Sequence, residues 1–390
     1  MGDDQGRPCL RGTTWGHPRG YAPILVTAEA HARRSGVPVA FDVRSLQQFA
    51  DQPLTELTGR YDILVFDHPF IGEAAERGLL EPLEELVPAA LLAELAANSV
   101  GPSWESYQWA GSTYALPIDT AFHVSAHRRE LTGQAPPQDW ADAAEFASAC
   151  ARSGGARVAL PLRAIDVWCL FVTLCATAGE GLLCGTAGVV EHGTGLRALA
   201  TLRQLTPHLH PGSWQWDPIQ LLDAMSSTDE IAWCPALFGY VNYATTGFRP
   251  RLVRFAEAPG WNGRLSRPVI GGAGIAISAR STMKRAAGEY LQYVASRPVQ
   301  CGAYPAAGGQ PGHRAAWQDE HVNACSHGFY EDTLASGDRA FLRPRLPGFI
   351  PFQTSAAGLL RAVLAGGLSA EAALTAIDAE YHRVVAAAGQ

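Results

Sequence analysis

The sequence predicts an α/β protein built on an open sheet and divided into two domains. Three observations predict it. Strand-like and helix-like runs alternate from the N-terminus through YDILVFD, the order that generates an open α/β sheet. A chain of 390 residues is long enough for two cores. No flexible interdomain linker, internal repeat or low-complexity tract separates the two, so the chain is expected to cross between them more than once.

PCLRGTTW is the first expected strand. YAPILVTAEAHARRSG follows as a helix, with Ile24, Leu25, Ala28 and Ala32 on one face and Gly36 as its stop. VPVAFDVRSL alternates Val37, Val39, Phe41 and Val43, the period of two of a strand. LQQFADQPLTELTG reads as a short helix. YDILVFD is a continuous apolar run of the kind found in buried parallel strands. GPSWESYQWAGSTYALPIDTAFHVSAHRREL reads as two extended segments. Next come helix WADAAEFASACARSG, strand ARVALPLR and helix DVWCLFVTLCATAG, then helices around GLRALATLRQL and PIQLLDAMSS. IAWCPALFGYVNY, RLVRFAEAP and RPVIGGAGIAIS are strand-like. The last third is helical in MKRAAGEYLQYVAS, TSAAGLLRAVLAG and AEAALTAIDAEYHRVV, around a Gly/Pro-rich passage.

The composition is that of a globular protein, 47% hydrophobic and 17% charged. Net charge is −7, and Lys284 is the only lysine. No block of basic residues tracks a phosphate backbone, so nucleic acid is not an expected partner. The eight cysteines form no C-x-x-C pair and read as free thiols, several of them buried. The twelve histidines share no ligand spacing with them, so neither a metal nor a cofactor is expected. No G-x-S-x-G, H-E-x-x-H, EF-hand, Walker or dinucleotide-binding pattern is present. No apolar run reaches the ~20 residues of a membrane helix, so membrane insertion is not expected. MGDDQGRPCL lacks a basic start and an apolar core, so no signal peptide is read there.

Three passages in order resemble the extracytoplasmic solute-binding proteins of the maltose-binding, family 1 class. GSTYALPIDTAFHVSAHRREL is similar to their hinge passage, with His127 where an aromatic is usual and Glu130 where Asp is usual. GGAGIAISARSTMKRAAGEYLQYVAS is similar to the return crossing. QCGAYPAAGGQPGHRAAW is similar to a later turn. The resemblance implies a type II periplasmic-binding-protein fold: two α/β lobes joined by a hinge with multiple crossovers, closing on a ligand. Lobe one would be 1–120 with 272–305, and lobe two 121–271 with 306–390. It also implies carbohydrate transport with an ABC permease, working as a monomer. Export is implied by the family; without a visible leader the chain as written reads as cytoplasmic.

Ligands of open α/β sheets bind beyond the carboxyl ends of the strands. Two such ends are TTWGHPRG and FDHPF. Trp15 offers a flat apolar face, His17 opens the helix, and Arg19 suits a carboxylate or phosphate. Asp67 suits hydroxyls, or caps the following turn. His68 is its neighbour, and side chains adjacent in a strand point to opposite faces. Asp119, at the first crossing, reads as a ligand contact or a hinge hydrogen bond. Arg163 and Trp168 repeat the opening loop's logic further along the chain. Tyr240, Asn242 and Tyr243 follow an expected strand. Gly309 lies in AAGGQPGH, where glycines allow close approach. Trp104, Tyr107, Trp109, Trp214 and Trp216 are aromatic platforms or core.

These residues point to binding without chemistry: a small polar ligand, a carbohydrate or hydroxylated organic acid. Asp67, Asp119 and Asn242 would take hydroxyls, Trp15, Trp168 and Tyr240 would pack on carbon, and Arg19 and Arg163 would favour an anionic group. The alternative is a cytoplasmic enzyme or ligand sensor on the same fold, with His17 or His68 as its acid/base group.

Overall fold

The computed structural model describes residues 9–179, 181–184 and 188–388. Residues 1–8, on which the reading of the leader rests, lie outside the described residues. Among the described residues the strands are β1 Leu10–Trp15, β2 Val39–Arg44, β3 Ile63–Phe66, β4 Gln108–Trp109, β5 Ser112–Thr113, β6 Leu116–His127, β7 Arg157–Val158, β8 Ile231–Phe238, β9 Arg254–Glu257 and β10 Ile270–Ile277. The chain divides into two units: Met1–Ala121 with Gly271–Cys325, and Phe122–Ile270 with Ser326–Gln390. It passes from one to the other within β6, within β10 and after Cys325.

In the first unit β1 lies between β2 and β3 and runs parallel to both, and β10 is antiparallel to β3. The helix Pro18–Ser35 connects β1 to β2. It starts where His17 Nδ1 accepts the Arg19 N–H at 3.0 Å, and stops at Gly36, whose φ of 73° only glycine adopts freely. Ile24, Thr27, Ala28 and His31 form its buried face. β3 is buried throughout, as its apolar run requires. β2 departs from its alternating pattern: Val43 is 48% exposed, because β2 is an edge strand bonded only to β1. The helix expected over 46–59 is broken by Pro53 into Leu46–Asp51 and Leu54–Leu57.

The extended segment expected at GPSWESY is instead two 3-10 turns, Gly101–Ser103 and Glu105–Tyr107, followed by the β4–β5 hairpin. The Ser103 and Ser106 hydroxyls donate to the carbonyls of Val100 and Ser103, which favours turns over a strand. Residues 306–325 belong to the first unit. Their backbone lies along the start of β6: Thr120 N–H donates to Gln310 C=O at 3.1 Å, and Gly312 N–H donates to Ile118 C=O at 3.2 Å. Gln310 Nε2 adds a 2.7 Å bond to Thr120 C=O.

In the second unit β6 is antiparallel to β8 on one side and to β9 on the other, and β7 is parallel to β8. ARVALPLR forms a strand only at Arg157–Val158. Beyond it the backbone turns to Ser213, whose Oγ accepts from Leu160 N–H and whose carbonyl accepts from Leu162 N–H. The helix Ala164–Ala178 is buried from Asp166 through Thr177, consistent with its nearly unbroken apolar sequence. Behind it runs the helix Phe349–Leu364, which buries Phe349, Phe352, Ala356, Leu360 and Val363. The Gly/Pro-rich passage also holds short helices that its composition hides, among them Glu320–Cys325 and Phe329–Asp338.

Candidate functional site

β1 feeds β2 on one side, and the chain then crosses to β3 on the other. The carboxyl ends of β1 and β3 are therefore the switch point of this sheet, where α/β proteins leave a crevice. Trp15 ends β1, Phe66 ends β3, and the polar residues of both loops follow directly.

Arg19 and Asp119 form the strongest interaction there. Arg19 Nε donates to Asp119 Oδ2 at 2.8 Å and Nη2 to Oδ1 at 2.5 Å. The two side chains are only 3% and 2% exposed. The Arg19 guanidinium also lies over the Trp15 ring, 5.3 Å from its centroid. Burial pushes the Asp119 carboxyl up, and the Asp67 charge adds to that push. Arg19 and a hydrogen bond from the Gln310 N–H oppose it. The Trp15 ring is packed as tightly: a Cβ on Gly20 would fall 2.3 Å from it. His17 stacks on Trp15 at 5.9 Å and 19°, and Phe49 lies 5.5 Å from the same ring.

Asp67 and His68 do not point apart. His68 opens a 3-10 turn rather than continuing β3, so Asp67 Oδ1 accepts its backbone N–H at 2.8 Å and sits 2.9 Å from its Nδ1. Asp67 thus caps the turn while 27% of its side chain stays exposed; His68 is buried. Gly309 packs on Tyr304, whose ring a Cβ would meet at 2.4 Å. It therefore supports the segment that holds Asp119, where the sequence had suggested approach to a ligand. Trp15, His17, Arg19, Asp67, His68, Asp119 and Gly309 all belong to the first unit.

The remaining candidates belong to the second unit and have heavy structural duties. Arg163 donates to Gln215 C=O, Asp217 Oδ2 and Gln220 Oε1 at 2.8–3.0 Å, so its guanidinium is spent on the loop before the helix Pro218–Ser227. Trp168 is wholly buried and meets Phe352 edge-on at 5.6 Å, a core position and not a platform. Tyr243 donates its hydroxyl to Asp223 at 2.9 Å and packs on Phe248, which also makes it structural. Asn242 and Tyr240 start the 3-10 turn Val241–Ala244 that ends β8, and Tyr240 is 7% exposed.

One residue escaped the sequence reading. Asp166, in the first turn of the helix Ala164–Ala178, is buried, and its Oδ2 has no hydrogen-bond partner. Burial, and then the Asp217 charge, push its carboxyl up to about 8, against the pull of Arg163. Its signal was an acid set immediately before a continuous apolar run. Among the described residues no group of three or more His, Cys, Asp and Glu side chains is placed to hold a metal ion. No described helix is long and apolar enough to cross a membrane.

This arrangement offers buried, pre-positioned polar groups and aromatic rings, which suits recognition of a ligand. Solved structures share the fold. The maltose-bound T. maritima MalE3 is 18% identical, covers 96% of this chain and 98% of its own, and superposes with a TM-score of 0.83. The GacH receptor of Streptomyces glaucescens, solved unliganded and with acarbose, is 16% identical over 97% of this chain and 98% of its own, with a TM-score of 0.81. A ribitol-bound ABC transporter solute-binding protein from Agrobacterium radiobacter is 19% identical over 96% and 98%, also with a TM-score of 0.81. The family model described as "bacterial extracellular solute-binding protein" matches residues 41–320. The chain belongs to the bacterial extracellular solute-binding protein family.

Proposed function

We propose that this protein binds a sugar or polyol and delivers it to an ABC-type permease. The observation that carries the reading is the cluster at the carboxyl ends of β1 and β3. There Asp67 keeps part of its carboxylate exposed beside His68, near enough for its charge to act on Asp119 of the buried Arg19–Asp119 pair. A carboxylate held by its own turn is a pre-oriented acceptor for hydroxyl groups. Relatives of this fold hold maltose, ribitol and acarbose. In this reading the part-exposed Asp67 meets the ligand, and the buried His68, His17 and Trp15 support it. Arg19 and Asp119 position them.

Titration of the purified chain with maltose, ribitol, tagatose and acarbose tests the reading. At least one of them is expected to raise the melting temperature with increasing concentration. Asp67→Ala should weaken that ligand about 10-fold or more, the cost of one charge-assisted hydrogen bond. A flat response to every neutral saccharide and polyol tried would remove the reading. Recovering the bound sugar chemically unchanged after long incubation separates binding from the enzyme alternative that the Asp67–His68 contact invites.

A further inference from the structure

The second unit contains a cavity of about 640 Å³ built from its own residues. β6 and β9 form one wall, with His127 directly opposite Arg254 and Ser125 opposite Ala256. The 133–138 loop, with Pro136 and Pro137, closes one side, and His327 and Asp332 close another. Its volume is that of a small-molecule site.

The charges inside are unevenly paired. Glu257 is taken by Arg339. Asp332 is the remaining acid of the lining, facing two guanidiniums, Arg129 and Arg254. Arg254 is held in place by donating Nη1 to the His327 carbonyl at 3.0 Å. Both arginines also line a neighbouring cavity of about 600 Å³, so they stand on a shared wall. His127 also lines the cavity, and its buried Nδ1 has no hydrogen-bond partner among the described residues. Burial, then Arg254 and Arg129, hold that imidazole below its ordinary pKa, with Glu130 opposing. Two guanidiniums against one remaining carboxylate are the complement of an anionic group.

We propose that this cavity is a second ligand site, taking a small organic anion whose carboxylate or phosphate is held by Arg129 and Arg254 beside the His127 ring. Ser125 Oγ accepts from the Trp233 indole N–H at 2.8 Å, which leaves its own proton for the ligand. The site is independent of the sugar reading and stands or falls separately.

The test uses the full chain with labelled histidines, titrated at constant ionic strength with gluconate and with inorganic phosphate, and with ribitol as the neutral control. A saturable shift of the His127 resonance is expected with gluconate or phosphate, together with a rise in its pKa as the anion offsets the two arginines. Gluconate alone would assign a carboxylate ligand, and phosphate alone a phosphate ligand. Arg129→Ala and Arg254→Ala should each weaken the response roughly 10-fold. Arg129 is exposed and its loss should leave the fold intact, so it keeps the test valid if Arg254→Ala unfolds. Sugar-induced melting shifts should survive in Arg129→Ala. No saturable His127 shift up to ~0.1 M ligand, an equal shift with ribitol, or an unchanged affinity in Arg129→Ala would overturn the proposal.

Discussion

Two arginines stand at strand-to-helix junctions, one in each unit, and both looked alike in sequence. Arg19 follows β1 and Arg163 follows β7 and its extension. Arg19 is 3% exposed and forks onto Asp119, a hundred positions away. Arg163 is 46% exposed and reaches Asp217 and its neighbours. Burial separates them. An exposed pair competes with water and gains little. A buried fork leaves an uncompensated charge when one partner is removed. The first junction is therefore a structural lock that shapes the switch-point cluster, and the second is an anchor on the surface.

The largest effect should follow from breaking the lock. Arg19→Ala is expected to destabilise the protein by ~3–5 kcal/mol, since Asp119 would stay buried without its counter-ion. Arg19→Lys should recover only part of this, because an ammonium cannot fork onto both carboxylate oxygens. Denaturant midpoints of the two variants measure it. A loss near 1 kcal/mol for Arg19→Ala would erase the contrast.

Asp166, three residues after Arg163, gives the next effect, with the opposite sign. Its carboxyl titrates near 8 in the folded chain, well above an unfolded Asp at about 4. Folding therefore favours the protonated form. The stability this contributes is complete at acid pH and is lost as pH rises through that window. His123 works the other way: burial, reinforced by Arg343, lowers it to about 3, so its contribution holds above about 6.5 and fades as pH falls. Thr173 Oγ lies 2.9 Å from its Nδ1 and accepts from Val269 N–H, which suits a neutral ring. The two slopes oppose each other between about pH 4 and 6.5. Between about 6.5 and 8 Asp166 acts without that opposition, at ~1.4 kcal/mol per pH unit. Asp166→Asn should flatten that limb, removing the ~2 kcal/mol lost between pH 6.5 and 8. An unchanged limb in the variant would show that the carboxyl is already ionised.

Much of the fold was legible because the signals were local. A continuous apolar run gave β3, and the spacing of Ile24, Leu25, Ala28 and Ala32 gave the helix Pro18–Ser35, although of these Ile24 and Ala28 are buried and Leu25 is 43% exposed. The three passages carrying the family resemblance lie in the order that the crossings at β6 and β10 require. What failed was set by residues far apart. Val43 alternates correctly yet lies exposed, because edge position is decided by the order of strands and not by the strand itself. GPSWESY lost to hydroxyl–carbonyl turns. At the site, the sequence placed Trp15, His17, Asp67 and His68 at strand ends. It could not show that Arg19 and Asp119 face each other, since their pairing depends on the approach of β6. Trp168 and Tyr243 offered ligand surfaces in sequence and turned out to fill the second unit's interior.

The smallest effect should come from the second junction. Arg163→Ala removes three surface hydrogen bonds, one of which is also an ion pair. The helix Pro218–Ser227 keeps its own cap, since Asp217 Oδ1 still accepts the Gln220 N–H at 2.8 Å. The expected cost is below ~1 kcal/mol and should shrink further in high salt, which screens exposed pairs. Arg163 also opposes the rise of the Asp166 carboxyl, while Asp217 drives it. Without the arginine that carboxyl should hold its proton to a higher pH. The alkaline limb of the stability profile should then extend to higher pH in Arg163→Ala while the stability at pH 6.5 barely changes. A loss at pH 6.5 as large as that of Arg19→Ala would mean that exposure does not separate the two junctions.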